Sequence, residues 1–175
     1  MLKKIVFLDR DGVINKDIGY LHKIGDFEFI DGIIDTLLSI QKLGYEFIII
    51  TNQSGIGRGM YSIRDFERLT KWMVTKLESF NINVLDIFYC PHAPLDNCDC
   101  RKPKTKLFID ASKKYSFAKE DSWMIGDSER DILSAVNFGI EKTILYSSSE
   151  KNCSDTRASF CVSDINDAKD IIRSN

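Results

Sequence analysis

A chain of 175 residues with 43% hydrophobic side chains is near the usual size of one domain and can bury one sizeable core, which leaves no room for an inserted second domain. A formal net charge of -2 and a pI near 5.7 give no excess of basic charge for a polyanion, which argues against nucleic acid and for a small anion held by a few local cations. No apolar stretch approaches the length of a membrane helix, and Met1 to Leu8 is too short, and too soon broken by Asp9, Arg10 and Asp11, for a signal peptide, so no membrane association and a cytoplasmic location are expected.

In chain order, the apolar run Ile5 to Leu8 predicts a buried parallel strand that delivers Asp9 and Asp11, followed by Gly12. Acids one residue apart can divide two tasks, one attacking as a nucleophile while the other donates and accepts a proton. Alone, D-x-D-G would also suit a strand ending in an aspartate-rich turn. Asp31 to Leu43 predicts a helix ended by Gly44, and Glu46 to Thr51 a second strand that places Thr51 and Asn52 beside the first acids. Ser62, with Asp65 three residues on, reads as a capping box opening a helix. Along it Phe66, Leu69, Met73, Leu77 and Phe80 form one stripe expected to face the core.

The third strand, Ile87 to Cys90, runs into C-P-H-A-P-L-D-N-C-D-C. Cys90, His92, Cys98 and Cys100 have the ligand number and type of a closed structural zinc site, with Cys153 and Cys161 outside it. Arg101 and Lys102 follow directly, one a planar fork and the other a point charge for phosphate oxygens, so zinc in the loop 90–100 is expected to position them. A helix over Lys104 to Lys114 precedes the strand Ser122 to Ile125, which ends in Gly126 and Asp127 with Asp131 four residues on. This third strand-end carboxylate invites Mg²⁺. Beyond it are predicted a helix over Glu129 to Asn137, a strand over Lys142 to Tyr146, a surface loop over Ser147 to Ser159, a short strand near Phe160 to Val162 and a last helix, Asn166 to Arg173. Alternation of this kind implies an α/β class: a single Rossmann-like three-layer domain over 1–175 with a mostly parallel sheet.

Asp9 to Gly12, Ile48 to Ser54 (I-I-I-T-N-Q-S), Cys100 to Pro103 (C-R-K-P) and Met124 to Asp131 (M-I-G-D-S-E-R-D) together resemble the haloacid dehalogenase superfamily of phosphohydrolases, in the family's order and over nearly the whole chain. The resemblance implies that Asp9 attacks phosphorus to form an aspartyl-phosphate, and that Asp11 protonates the leaving oxygen and then activates water. It also implies that Asp9, the main-chain carbonyl of Asp11 and Asp127 hold Mg²⁺, while Thr51, Asn52 and Lys102 bind phosphoryl oxygens. With His22 and His92 the only histidines, a histidine-phosphatase mechanism or a Ser-His-Asp triad has little support.

Within the superfamily, C-P-H with C-D-C-R-K-P resembles the capless branch of the heptose-bisphosphate 7-phosphatases and the histidinol-phosphate phosphatases. The short spacer from His92 to Cys98 is similar to the second group, whereas D-I-G-Y (Asp17 to Tyr20), D-F-E-F-I-D-G (Asp26 to Gly32) and T-N-Q-S-G-I-G-R-G (Thr51 to Gly59) resemble the first. That likeness implies substrate contacts from Asp17, Ile18, Gly19, Tyr20, Thr51, Asn52, Gln53, Ser54, Arg101 and Lys102. Arg58, between Gly57 and Gly59, is either a cation for a second, non-reacting phosphate or a solvated side chain. The heptose enzymes often carry a basic residue where Ser128 stands, and Arg130 is the candidate to supply that charge. The expectation is a monomeric, Mg²⁺-dependent, zinc-ordered phosphatase acting on a small sugar bisphosphate in nucleotide-activated heptose synthesis for surface polysaccharide. Histidinol phosphate is the alternative substrate, and a non-catalytic zinc-ordered binding protein the alternative class.

Overall fold

A computed structural model describes residues 2–147 and 155–175. The β-branched apolar runs form β1 (Lys4–Leu8), β2 (Tyr45–Asn52), β3 (Val84–Cys90), β4 (Trp123–Gly126), β5 (Lys142–Tyr146) and β6 (Phe160–Val162). They build a 6-stranded sheet of order β3-β2-β1-β4-β5-β6 in which every neighbouring pair is parallel. The helices are α1 (Ile33–Lys42), α2 (Ser54–Gly57), α3 (Ile63–Ser79), α4 (Lys106–Lys114), α5 (Glu129–Phe138) and α6 (Asp167–Ser174).

Successive side chains of a strand point to opposite faces, so β1 divides its residues between two cores. Val6 and Leu8, with Phe47, Ile49, Trp123 and Ile125, pack against Ile33 and Leu37 of α1, Met73 and Leu77 of α3 and Ile172 of α6. Ile5 and Phe7, with Ile48, Ile50 and Met124, pack against Leu107 and Phe108 of α4 and Ala135 of α5. Helices therefore cover both faces, and strand order reverses between β1 and β4, where open α/β sheets form their ligand crevice. Among the described residues no helix is long and apolar enough to cross a membrane.

The short α2 has no counterpart in the sequence reading, and the other departures lie at element ends. α1 begins only at Ile33 because Gly32 before it adopts φ 83, and α4 begins at Lys106 because Lys104 N–H closes a turn onto Arg101 O at 3.0 Å. Phe80, expected in the core stripe, is 43% exposed: α3 ends at Ser79, Asn81 turns the chain with φ 62, and Ile82 takes the buried place. Part of the predicted loop over Ser147 to Ser159, with Cys153, lies outside the described residues.

Candidate active site

Asp9 leaves the end of β1, Asp127 follows β4, and Asp131 stands in the first turn of α5. One carboxylate oxygen from each lies within 4.8 Å of the others. Two glycines make room for this crowding. A Cβ on Gly12 (φ +83) would stand 2.2 Å from Asp127 Oδ2, and a Cβ on Gly126 would stand 2.3 Å from Asp131 Cβ, so no side chain fits at either position.

Lys102, 2% exposed, reaches into the acids: its Nζ lies 3.1 Å from Asp9 Oδ1 and 2.6 Å from Asp131 Oδ1, and donates to Ile50 O at 2.6 Å. Burial, and after it the charge of Asp131, push the Asp9 carboxyl up to about 8 against the pull of Lys102. Burial opposes the Lys102 ammonium, but Asp131 and Asp9 outweigh it and hold its pKa above the ordinary lysine value. A lone lysine cannot neutralise all the acids gathered here, and the hard oxygen donors fit a divalent cation such as Mg²⁺. Asp131 was noticed in the sequence only as an acid four residues after Asp127. In the fold one of its oxygens pairs with Lys102 while the other accepts from Ser128 N–H and Oγ, at 3.1 and 2.7 Å, capping α5.

Asp11 lies outside this cluster. Its Oδ1 accepts from Arg10 Nε (3.1 Å), Arg10 Nη2 (2.8 Å) and Asn15 Nδ2 (3.0 Å), and its Oδ2 from Arg10 Nη2 and Gln53 Nε2, both at 2.9 Å. Arg10, 1% exposed, and Asn15, fully buried, carry no recognisable spacing and were missed by sequence reasoning. The two acids of D-R-D-G therefore occupy different surroundings, one crowded by carboxylates and one saturated with donors.

A cleft of about 510 Å³ opens over these groups. Thr51, Asn52, Gln53 and Ser54 from the end of β2, together with Arg101 and Lys102, line it beside the acids. Asn52 and Lys102 clasp each other, Lys102 N–H donating to Asn52 Oδ1 at 3.0 Å and Asn52 Nδ2 to Lys102 O at 3.3 Å. Asp17, Gly19 and Tyr20 also line the cleft, Asp17 Oδ1 accepting from Gly19 N–H at 2.9 Å in an Asx turn. Ser128, Arg130 and Tyr61 join the lining, whereas Ile18, 59% exposed, and the exposed Arg58 do not.

Beyond β3, ligand atoms of Cys90, His92, Cys98 and Cys100 gather within 4.8 Å of one another. Cys90 Sγ is 3.5 Å from Cys98 Sγ and 2.8 Å from Cys100 Sγ, and His92 Nδ1 is 3.2 Å from Cys100 Sγ. A tetrahedral zinc with Zn–S near 2.3 Å separates its ligands by about 3.7 Å, so donor type and most spacings suit zinc, with Cys90 and Cys100 somewhat close. This loop is tied to the end of β2 and to α2, since Gln53 N–H donates to Cys90 O at 2.7 Å and Gly57 N–H to Pro91 O at 2.8 Å.

Comparison with known proteins matches residues 99–168 to a family model described as HAD-hydrolase-like. A D-glycero-beta-D-manno-heptose-1,7-bisphosphate 7-phosphatase of Helicobacter pylori (strain ATCC 700392 / 26695) is 46% identical over 143 residues, 81% of this chain and 83% of that one. A D-glycero-alpha-D-manno-heptose-1,7-bisphosphate 7-phosphatase of Photorhabdus laumondii subsp. laumondii is 46% identical over 149 residues, 81% of each chain. In fold, the chain is similar to the crystal structure of D,D-heptose 1.7-bisphosphate phosphatase from B. bronchiseptica complexed with magnesium and phosphate, with a TM-score of 0.84 over 98% of both chains at 24% identity.

Proposed function

The chain belongs to the heptose-1,7-bisphosphate 7-phosphatases of the haloacid dehalogenase superfamily, and from that premise we propose that it removes the 7-phosphate of D-glycero-D-manno-heptose 1,7-bisphosphate through an aspartyl-phosphate. The observation that carries the chemistry is placement: Asp9 stands beside Lys102 among the clustered carboxylates, and Asp11 lies on the same cleft lining outside that cluster. Asp9, held by Lys102 at 3.1 Å at the floor of the cleft, is the nucleophile. As its oxygen bonds to phosphorus, the bond to the sugar oxygen breaks and that oxygen takes a proton from Asp11. Water then attacks the aspartyl-phosphate, returns a proton to Asp11, and leaves inorganic phosphate with Asp9 restored.

Asp9, Asp127 and the main-chain carbonyl of Asp11 would hold Mg²⁺, with Asp131 beside them, and the ion when bound supplies positive charge to phosphoryl oxygens. Thr51, Asn52 and Lys102 orient the reacting group. Arg101 and Arg130, which line the cleft, replace Arg58, which does not, as the better-placed cations for the phosphate that does not react. Asp17, Gly19 and Tyr20 face the sugar. Zinc on Cys90, His92, Cys98 and Cys100 would fix the loop that presents Arg101 and Lys102.

Histidinol phosphate, with its single phosphate, would leave Arg101 and Arg130 without an anion. The test is Mg²⁺-dependent phosphate release from both anomers of the heptose bisphosphate and from histidinol phosphate. The kcat/KM for a heptose anomer is expected to exceed that for histidinol phosphate by more than about tenfold, because binding energy from the remote phosphate is used to orient the reacting one. A higher value for histidinol phosphate would overturn the heptose assignment.

A further inference from the structure

Tyr61 belongs to none of the family-like segments, yet its hydroxyl donates to Gln53 Oε1 at 2.6 Å. The other end of that amide, Nε2, donates to Asp11 Oδ2 and to Thr51 Oγ1, each at 2.9 Å. Tyr61 and Gln53 are 7% and 2% exposed. The Tyr61 ring is closely confined. His22 stacks on it at 5.1 Å with 7° between the planes, and the chain at Gly55 comes so close that a Cβ there would meet Tyr61 Cε1 at 2.1 Å. Burial pushes the phenol up to about 12, so it stays protonated and donates throughout the neutral range.

An amide can occupy its site in either of two orientations of nearly equal shape, and its hydrogen-bond partners decide between them. With the phenol donating to Oε1, the NH₂ group faces Asp11 and Thr51. In the flipped orientation Oε1 would face Asp11, repelling the carboxylate, or, when Asp11 is protonated, accepting the very proton the leaving oxygen needs. Resting on the role of Asp11 in the reaction above, we propose that Tyr61 is a positioning residue for proton transfer by Asp11, acting through the side-chain amide of Gln53. Arg10 and Asn15 secure the same carboxylate on its Oδ1 side, and Gly55 provides the space the phenol requires.

The experiment compares release of the leaving group in the first turnover from the heptose bisphosphate and from a nitrophenyl phosphate, whose leaving group needs no proton. Tyr61→Phe should slow the sugar reaction by about tenfold or more and the aryl reaction by less than about twofold, with KM little changed, as expected for loss of general acid catalysis. Gln53→Ala, which also frees Thr51, should slow the sugar reaction at least as much as Tyr61→Phe, and the double variant should be no slower than Gln53→Ala alone, since Tyr61 acts through that amide. Gly55→Ala, which displaces the ring and keeps the hydroxyl, should reproduce the selective loss if Tyr61→Phe fails to fold. Equal slowing of both substrates, no slowing of either, or additive losses in the double variant would overturn the assignment while leaving the phosphatase intact. A wild-type protein inert toward both substrates would instead overturn the phosphatase reading, and this one with it.

Discussion

Asp9 shows how far neighbouring groups can alter a single side chain. Replacing it with Asn changes almost no volume but removes the carboxylate proposed to attack phosphorus, so Asp9→Asn should reduce turnover by about 10⁴-fold or more while the chain remains folded, as judged by circular dichroism. Wild-type phosphate release from that variant would exclude Asp9 as the nucleophile. The same carboxyl links metal binding to pH. Its pKa in the fold, pushed up to about 8 chiefly by burial, lies above the ordinary 3.8. In the metal-free chain its stabilising contribution is therefore full below 3.8 and is lost as pH rises toward about 8. A cation must displace this proton, so the apparent affinity for Mg²⁺ should rise roughly tenfold per pH unit until about pH 8 and then level off. Titration calorimetry across that range checks this, and an affinity independent of pH would contradict it.

Among the elements, α3 offers the clearest test because its start is specified locally. Asp65 N–H donates to Ser62 Oγ at 3.2 Å and Ser62 N–H donates to Asp65 Oδ2 at 3.0 Å, completing the capping box read from the sequence. Ser62→Ala should cost about 1 kcal/mol in urea unfolding at neutral pH. Hydrogen bonds from the Ser62 side chain and then its backbone hold the Asp65 pKa below the ordinary 3.8, so its contribution is present above that value and is lost as pH falls through the depressed one. The stability gap between wild type and Asp65→Asn should accordingly close on acidification, and a gap unchanged in acid would count against the cap. The strands were legible because runs such as Ile5–Leu8 and Phe47–Ile50 have no other stable place than a buried sheet. Helix ends were less so, since Phe80 keeps the apolar spacing of α3 although the helix has already stopped at Ser79.

For the molecule as a whole, the cysteine-histidine loop and the loop after β2 are tied together, because Gln53 and Gly57 bond to the backbone of Cys90 and Pro91 while Asn52 and Lys102 clasp each other. Protein purified without chelators should contain one zinc per chain by elemental analysis. The variant Cys98→Ser with Cys100→Ser should lose that zinc, unfold at a lower temperature and release phosphate more slowly even at saturating Mg²⁺. A zinc-free protein of undiminished activity would remove the loop from the argument. Asp9, Asp11 and Asp127 were readable because each stands just past a strand end, and Arg101 and Lys102 because they follow the cysteine-histidine loop directly. Arg10, Asn15 and Tyr61 were not, since what joins them to Asp11 is a set of side-chain hydrogen bonds that leaves no period in the sequence. Gly12 and Gly126 carry this relation to its limit. In a library randomised at every position they would appear as intolerant as Asp9, though they contribute no reactive atom, because the space a side chain would need is already filled by Asp127 and Asp131. A map of indispensable positions would thus record the outline of the carboxylates as well as the carboxylates themselves.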